Sequence, residues 1–334
     1  MIIRTRAYPR AGLVGNPSDG FFGKTISFTF TNFAAEVELY ESPELEILPN
    51  IKDRSVFQSI DELVDDVRLH GYYGGIRLLK ATVKRFHDYC RQNDIALHDR
   101  NFTIRYRSNI PHGVGLAGSS AIITAGLRAI MQFYGVSIPK YTQANLILAA
   151  ERDELHIPAG LQDRVVQVYE GLVYMDFNRE VFEKQGYGVY EPLDVKLLPR
   201  LYIAYREDLS KVSGKVHSDI RQRFDRGEPA VVNAMRFWAA LTDKGKRALL
   251  SGQTDKLGPL MDANFNRRLK VYTIDERNRE MVQAARSVGA AAKFTGSGGA
   301  IVGTYADEAM FNALKKKLAA LNITTIKPRI AEPK

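Results

Sequence analysis

The chain has 334 residues, 45% of them hydrophobic and 25% charged, with a formal net charge of +9 and one cysteine, Cys90. That length suggests two domains or one large one, and the balance is that of a globular protein with a sizeable core. A single cysteine excludes an intramolecular disulfide and a thiol-based metal site. No apolar run reaches the roughly 20 residues of a membrane span, and residues 1–7 carry no signal-peptide pattern, so a cytoplasmic protein without a membrane partner is expected. The excess positive charge suits nucleic acid or small anions such as nucleotides and sugar acids. Its densest cluster, Lys315–Lys317, reads as a solvated helix face, so small anions are expected and nucleic acid is not.

Thr25–Thr31 alternates as a strand, with Ile26, Phe28 and Phe30 on one face. Residues 35–40 and 45–48 read as further strands. Ile76, Leu79, Val83 and Phe86 form a helical stripe within 73–90. Phe102–Arg107 alternates again, 119–133 reads as a helix behind a glycine-rich turn, and 143–154 as a helix stopped before Pro158. Residues 172–177 and 197–205 are strand-like, with the best domain break near Pro192–Val195. Helical patterns follow over 230–250, 257–269 and 274–288, then a short strand, the loop Thr295–Gly299, a strand 300–305, a helix 308–321 and a last strand 324–326. Strands mixed with non-alternating helices predict an α+β architecture, divided into 1–192 and 193–334.

The run Pro111-His-Gly113-Val114-Gly115-Leu116-Ala117-Gly118-Ser119-Ser120-Ala121 lies between a strand and a helix. Its glycines permit positive φ and close approach of the backbone to a ligand. The amides of Gly118, Ser119 and Ser120 would open the helix, where unpaired N–H groups and the helix dipole favour phosphate. A hydroxyl there would also suit Mg²⁺. The alternative is an ordinary glycine turn with Ser119 as a cap. No lysine precedes the serines, so this is not the common phosphate loop.

Glu151 and Asp163 stand twelve positions apart around the turn Pro158–Gly160. Two carboxylates from successive segments would converge on one site. Equally, Asp163 would serve as a helix cap and Glu151 as a surface acid; Asp153 and Glu154 are neighbouring candidates.

Together with Pro9–Asp19 and Lys293–Ala300, the central run resembles the three motifs of the GHMP kinase superfamily, which includes galactokinase, homoserine kinase and mevalonate kinase. The central stretch carries one extra residue between Leu116 and Ser119 relative to that signature. The resemblance spans nearly the whole chain. It implies an N-terminal mixed α/β nucleotide-binding domain and a ferredoxin-like C-terminal domain. It also implies ATP and Mg²⁺, with Ser120 and Glu151 as metal ligands and Asp163 as the catalytic base. Arg10 would stabilise the transferring phosphoryl group. Pro111 and residues 113–120 with Gly296, Ser297 and Gly298 would hold the nucleotide.

Asp19 matches the family's acid for sugar hydroxyls, nine residues after Arg10, whereas Asn16-Pro-Ser18 departs from galactokinase. Leu13–Ser27 and Tyr72–Lys80 look more like the glucuronokinase branch, implying a sugar acid phosphorylated at its anomeric hydroxyl. Asn16, Ser18, Asp19 and Gly298 would line the acceptor site, and Arg77, Lys24, Tyr72 or Tyr73 would meet the carboxylate. Asn264, Asn266 and Arg267 either face the acceptor or are plain helix surface. Other acceptors remain open: galactose, a heptose phosphate or a mevalonate-like acid. A sugar- and nucleotide-binding regulator would be signalled by loss of Asp163, Glu151 or Ser120, and all three are present. The expected assembly is a monomer or homodimer.

Overall fold

Alternation of apolar and charged residues builds the first sheet. In the computed structural model, which describes residues 1–50, 53, 59–60, 74–206 and 213–333, the elements are numbered in chain order. Strands β1 (Ile2–Ala7), β4 (Ala35–Ser42), β5 (Glu46–Leu48) and β6 (Asn101–Ser108) pair in the order β1-β4-β6-β5, antiparallel except for β5 beside β6. Ile3, Val37, Leu39, Phe102 and Ile104 are buried on one face. On the other face Glu38 lies opposite both Arg4 and Arg105, and Glu36 opposite both Arg6 and Arg107. These rows form ion pairs, among them Arg4 Nε–Glu38 at 2.9 Å and Arg107 Nε–Glu36 at 2.6 Å. One packed face and one charged face is the usual solution for an antiparallel sheet.

Helices α1 (Gly75–Gln92) and α2 (Gly118–Tyr134) bury Leu78, Leu79 and Phe86, and Ile122, Ile123 and Ile130. Helix α3 (Lys140–Ala149) runs into a π-turn at Ala150–Glu154, and α4 (Gln162–Tyr169) follows. The helix expected over 143–154 therefore widens at its C-terminal turn, at the place where Glu151 sits; π-turns of this kind recur at functional positions. These elements belong to one compact unit: residues 1–9, 33–110 and 117–168.

The second unit comprises residues 10–32, 111–116 and 169–334. Strands β2 (Arg10–Val14), β3 (Lys24–Thr29), β7 (Leu172–Asp176) and β8 (Val189–Leu193) form an antiparallel sheet, followed in the chain by β9 (Leu201–Tyr205). Strand β2 is buried along its whole length, so it carries no alternation and was not legible as a strand. A further sheet has the order β10-β11-β9-β12, with β10 (Lys293–Phe294), β11 (Ala300–Thr304) and β12 (Thr324–Ile326). Helices α5 (Arg179–Gln185), α6 (Ser213–Asp225), α7 (Pro229–Leu250), α8 (Leu257–Leu269), α9 (Glu276–Arg286) and α10 (Glu308–Ala319) complete it. Tyr202, Phe265, Met281, Phe294, Leu314 and Leu318 form a core shared by that sheet and its helices. The expected strand over 197–205 starts only at Leu201; residues 195–197 form a 3₁₀ turn capped by Asp194. The architecture is the α+β one expected. No helix among the described residues is long and apolar enough to cross a membrane.

Candidate active site

The second unit gathers residues from three distant stretches of sequence. Arg10 opens β2 and is 5% exposed; its Nη1 donates to the carbonyls of Gly115 (2.6 Å) and Thr295 (3.3 Å). The Gly12 amide donates to the same Thr295 oxygen at 2.9 Å, and the Thr295 hydroxyl to the Gly115 oxygen at 3.2 Å. Gly115 has φ +72°, and a Cβ there would meet the Gly298 carbonyl oxygen at 2.8 Å. A Cβ on Gly296 would lie 2.6 Å from the Gly115 oxygen. Glycine at these two positions lets one backbone rest directly on the other.

Lys293 ties the first stretch to the third. Buried to 1% exposure, its Nζ donates to the Gly12 carbonyl (2.6 Å), Asn16 Oδ1 (2.6 Å) and the Phe294 carbonyl (2.7 Å). Burial, and then the charges of Arg268 and Arg10, push its pKa well below that of an ordinary lysine. Three close acceptors match the three donors of an ammonium group. Asn16 is held again from behind: Asn264 Nδ2 donates to its carbonyl at 2.9 Å, and Asn264 Oδ1 accepts the Gly15 amide at 2.7 Å. Asn16 Nδ2 is buried without a partner among the described residues.

The first unit holds the acids. Ala117, just before α2, takes a left-handed conformation (φ 61°, ψ 46°), and no side chain caps the helix. Gln167, fully buried on α4, fixes that residue by donating Nε2 to the Ala117 carbonyl at 2.9 Å and to the Tyr8 carbonyl at 3.0 Å. An uncapped first turn leaves amides available to an anion. Ser119 donates its hydroxyl to Glu151 Oε1 at 3.0 Å, whereas the buried Ser120 hydroxyl goes to the Ala117 carbonyl at 3.2 Å. Arg164 grips the other carboxylate oxygen of Glu151 through Nε at 2.7 Å and through Nη2, and donates Nη1 to the Gly160 carbonyl. Both side chains of this pair are 2% exposed. Asp163 directly precedes Arg164 in the first turn of α4 and is half-buried. The neighbouring acids face elsewhere: Asp153 pairs with Arg85 at 3.2 Å, and Glu154 with Arg85 and Lys84 at 2.8 and 2.9 Å.

Glu151 Oε1 and Ser119 Oγ are oxygen donors of the kind Mg²⁺ takes, and Oε1 is the carboxylate oxygen that Arg164 leaves unbonded. Among the described residues no group of three or more His, Cys, Asp or Glu gathers as a metal cage. Mg²⁺ held with nucleotide phosphates needs only one or two carboxylates, so the residues present fit it.

Of the acceptor candidates, Ser18 is fully buried and closes its own turn, donating to the Lys24 carbonyl at 2.9 Å and accepting the Lys24 amide at 3.1 Å. Asp19 is 2% exposed in the 3₁₀ turn Ser18–Phe21. Lys24 Nζ is matched inside the protein by Asp243 at 3.1 Å and Asp176 at 3.2 Å. Burial pulls its pKa down, but these two carboxylates outweigh that and raise it above the ordinary value. Arg77 lies exposed on α1, and Tyr72 and Tyr73 lie outside the described residues. Asn266 accepts from Arg286 at 2.7 Å and Arg267 stacks on Phe237, so both belong to the helix exterior, unlike Asn264.

Sequence reasoning missed Arg164, Lys293, Gln167 and Arg268. The first three had a signal: Arg164 follows Asp163, Gln167 lies one turn further along the same helix, and Lys293 opens the third motif. Arg268, 4% exposed, donates Nη1 to the Gly296 carbonyl (2.9 Å) and Nη2 to that of Ser297 (3.3 Å). It sits among ordinary helix polarity in the sequence and had none.

Within the second unit, three glycine-lined stretches are brought together by buried cations; within the first, a serine hydroxyl rests on a buried glutamate at an uncapped helix start. The chain belongs to the GHMP kinase family: the profile of the GHMP kinases N terminal domain matches residues 77–171, and that of the GHMP kinases C terminal domain matches residues 246–322. It is a small-molecule kinase. Within that family the chain is 47% identical to glucuronokinase 1 of Arabidopsis thaliana over 306 residues, 90% of this chain and 84% of that one. It is 48% identical to the probable glucuronokinase 2 of the same plant over 308 residues, with the same two shares. Among solved structures, the phosphomevalonate kinase of Streptococcus pneumoniae in complex with phosphomevalonate and AMPPNP shares the fold at a TM-score of 0.76 and 15% identity, covering 98% of this chain and 100% of that one.

Proposed function

We propose that the protein transfers the γ-phosphoryl group of ATP to the anomeric hydroxyl of D-glucuronate, giving glucuronate 1-phosphate and ADP. The observation that carries this reading is the 47–48% identity to two glucuronokinases across 90% of the chain. The division of labour follows the sequence, with residues 1–192 as the nucleotide-binding domain and 193–334 as the C-terminal domain. The two family profiles, at 77–171 and 246–322, fall one in each and support that division.

The amides that open α2 and the backbone of Gly113–Leu116 and Gly296–Gly298 receive the nucleotide phosphates. Glu151, with the Ser119 or Ser120 hydroxyl, holds Mg²⁺, which when bound neutralises charge on the phosphates. Asp163 orients the anomeric hydroxyl and takes its proton as the hydroxyl oxygen bonds to the γ-phosphorus and the bond to the β–γ bridging oxygen breaks. Arg10 stabilises charge on the transferring group. Asp19 and Asn16 meet sugar hydroxyls.

The test is a panel of acceptors with Mg-ATP and the purified protein: glucuronate, galacturonate, galactose, glucose and mevalonate. A product of glucuronate plus one phosphoryl group, with the phosphorus on the anomeric carbon by ³¹P NMR, is expected. Turnover confined to a neutral sugar or to mevalonate would replace the acceptor and keep the kinase.

A further inference from the structure

Arg268 is a buried guanidinium with no acid bonded to it among the described residues. Two of its nitrogens hang on the carbonyls of Gly296 and Ser297. Its third nitrogen, Nε, has no hydrogen-bond partner among the described residues. Four residues on, beyond the end of α8, Tyr272 is 5% exposed and its hydroxyl also has none among them. The guanidinium carbon lies 4.9 Å from the centre of the Tyr272 ring, so the two form one unit.

A protein interior does not leave such groups bare. Each buried donor without an acceptor costs free energy, and a buried charge without a counter-ion costs more. Lys293, whose pKa Arg268 helps to lower, donates only to carbonyl and amide oxygens. Arg268 itself bonds no carboxylate among the described residues. Asp19 is within electrostatic reach of both Arg268 and Tyr272. That acid would oppose a multiply charged phosphate far more than a single carboxylate. A ligand offering hydroxyls to Asp19 and one negative charge to Arg268 suits this arrangement.

We propose that Arg268 and Tyr272 bind the carboxylate of the sugar acid, Arg268 through Nε and Tyr272 through its hydroxyl, and so set the preference for an acid over a neutral sugar. This rests on the glucuronate reading. Removal of a charge-assisted bond of this kind lowers kcat/KM by roughly tenfold to a hundredfold.

The experiment compares glucuronate with its neutral methyl ester in the wild type, Arg268→Met and Tyr272→Phe, with KM for ATP measured alongside. The ratio of kcat/KM for acid over ester is expected to fall at least tenfold in Arg268→Met and about threefold or more in Tyr272→Phe, with KM for ATP moving less than about twofold in Tyr272→Phe, which leaves the Arg268 bonds to Gly296 and Ser297 in place. Tyr272→Phe removes a hydroxyl that bonds nothing among the described residues, so it keeps the test alive if Arg268→Met does not fold. An unchanged acid-to-ester ratio in Tyr272→Phe and in any folded Arg268 variant overturns the proposal. So does a rise in KM for ATP in Tyr272→Phe equal to that for the acid, which would place nucleotide phosphate there. A wild type that does not phosphorylate glucuronate fails the acceptor reading before any variant is made.

Discussion

Arg164 holds the carboxylate of Glu151 through Nε at 2.7 Å, with both side chains 2% exposed. This pair joins the π-turn that carries Glu151 to the first turn of the helix that carries Asp163. Removing one partner of a buried ion pair leaves the other uncompensated and typically costs about 3–5 kcal/mol. Arg164→Met is therefore expected to lower the unfolding free energy by about that amount, read by urea denaturation, and to reduce kcat in whatever remains folded. A midpoint within error of wild type would show that the pair contributes nothing net.

Asp163→Asn keeps the size and hydrogen-bonding outline of the side chain and removes its charge. The expected result is a fall in kcat of roughly 10²–10⁴-fold, with nucleotide affinity by calorimetry nearly unchanged. Turnover near the wild-type rate would remove Asp163 as the base.

The two adjacent serines make different predictions. Ser119 bonds to Glu151, and Ser120 to the Ala117 carbonyl. Ser119→Ala is expected to raise the Mg²⁺ concentration needed for half-maximal rate by several-fold, and Ser120→Ala to raise it less. The reverse order in a Mg²⁺ titration would return the metal ligand to Ser120, where the motif alone puts it.

Lys293 satisfies three buried oxygens at once. Lys293→Met keeps the length and leaves those acceptors bare, at about 1–3 kcal/mol for each one left unsatisfied. A loss of several kcal/mol in stability is expected, together with weaker nucleotide binding as the first and third stretches part. Unchanged melting would mean that water replaces the ammonium without cost.

Burial pushes the phenols of Tyr174, Tyr190 and Tyr272 up to about 12 from an ordinary 10; a hydrogen bond to Asp243 adds to the effect at Tyr174. The folded protein thus holds these protons more tightly than the unfolded chain does. Their stabilisation is present below pH 10 and is lost as pH rises from about 10 to 12. Melting temperature should decline across that window. Tyrosinate absorbance of the folded protein should lack these three groups near pH 10. A titration in which all 16 tyrosines ionise near pH 10 before unfolding would contradict it.

Much of the fold was legible because it follows local pattern. The stripe on α1, the alternation of β3 and β6, and the span of α8 at 257–269 came directly from hydrophobic period. Strand β2 did not, because burial on both faces erases alternation. The widening at Ala150–Glu154 did not, because a π-turn leaves no periodic trace over five residues.

The run from Pro111 to Ala121, the acids Glu151 and Asp163, and the stretches at 9–19 and 293–300 were fixed by residue type and order alone. They suffice for a kinase of this family, since glycines that permit close backbone approach, and acids that serve phosphate chemistry, are few in kind. The partners of each group were decided only in three dimensions. That Ser119 and not Ser120 meets Glu151, that Lys24 is consumed by two aspartates, and that Arg268 is buried with a donor to spare depend on segments brought together from far along the chain. Hydrogen bonding and burial act between such segments, and no local pattern in the sequence encodes them.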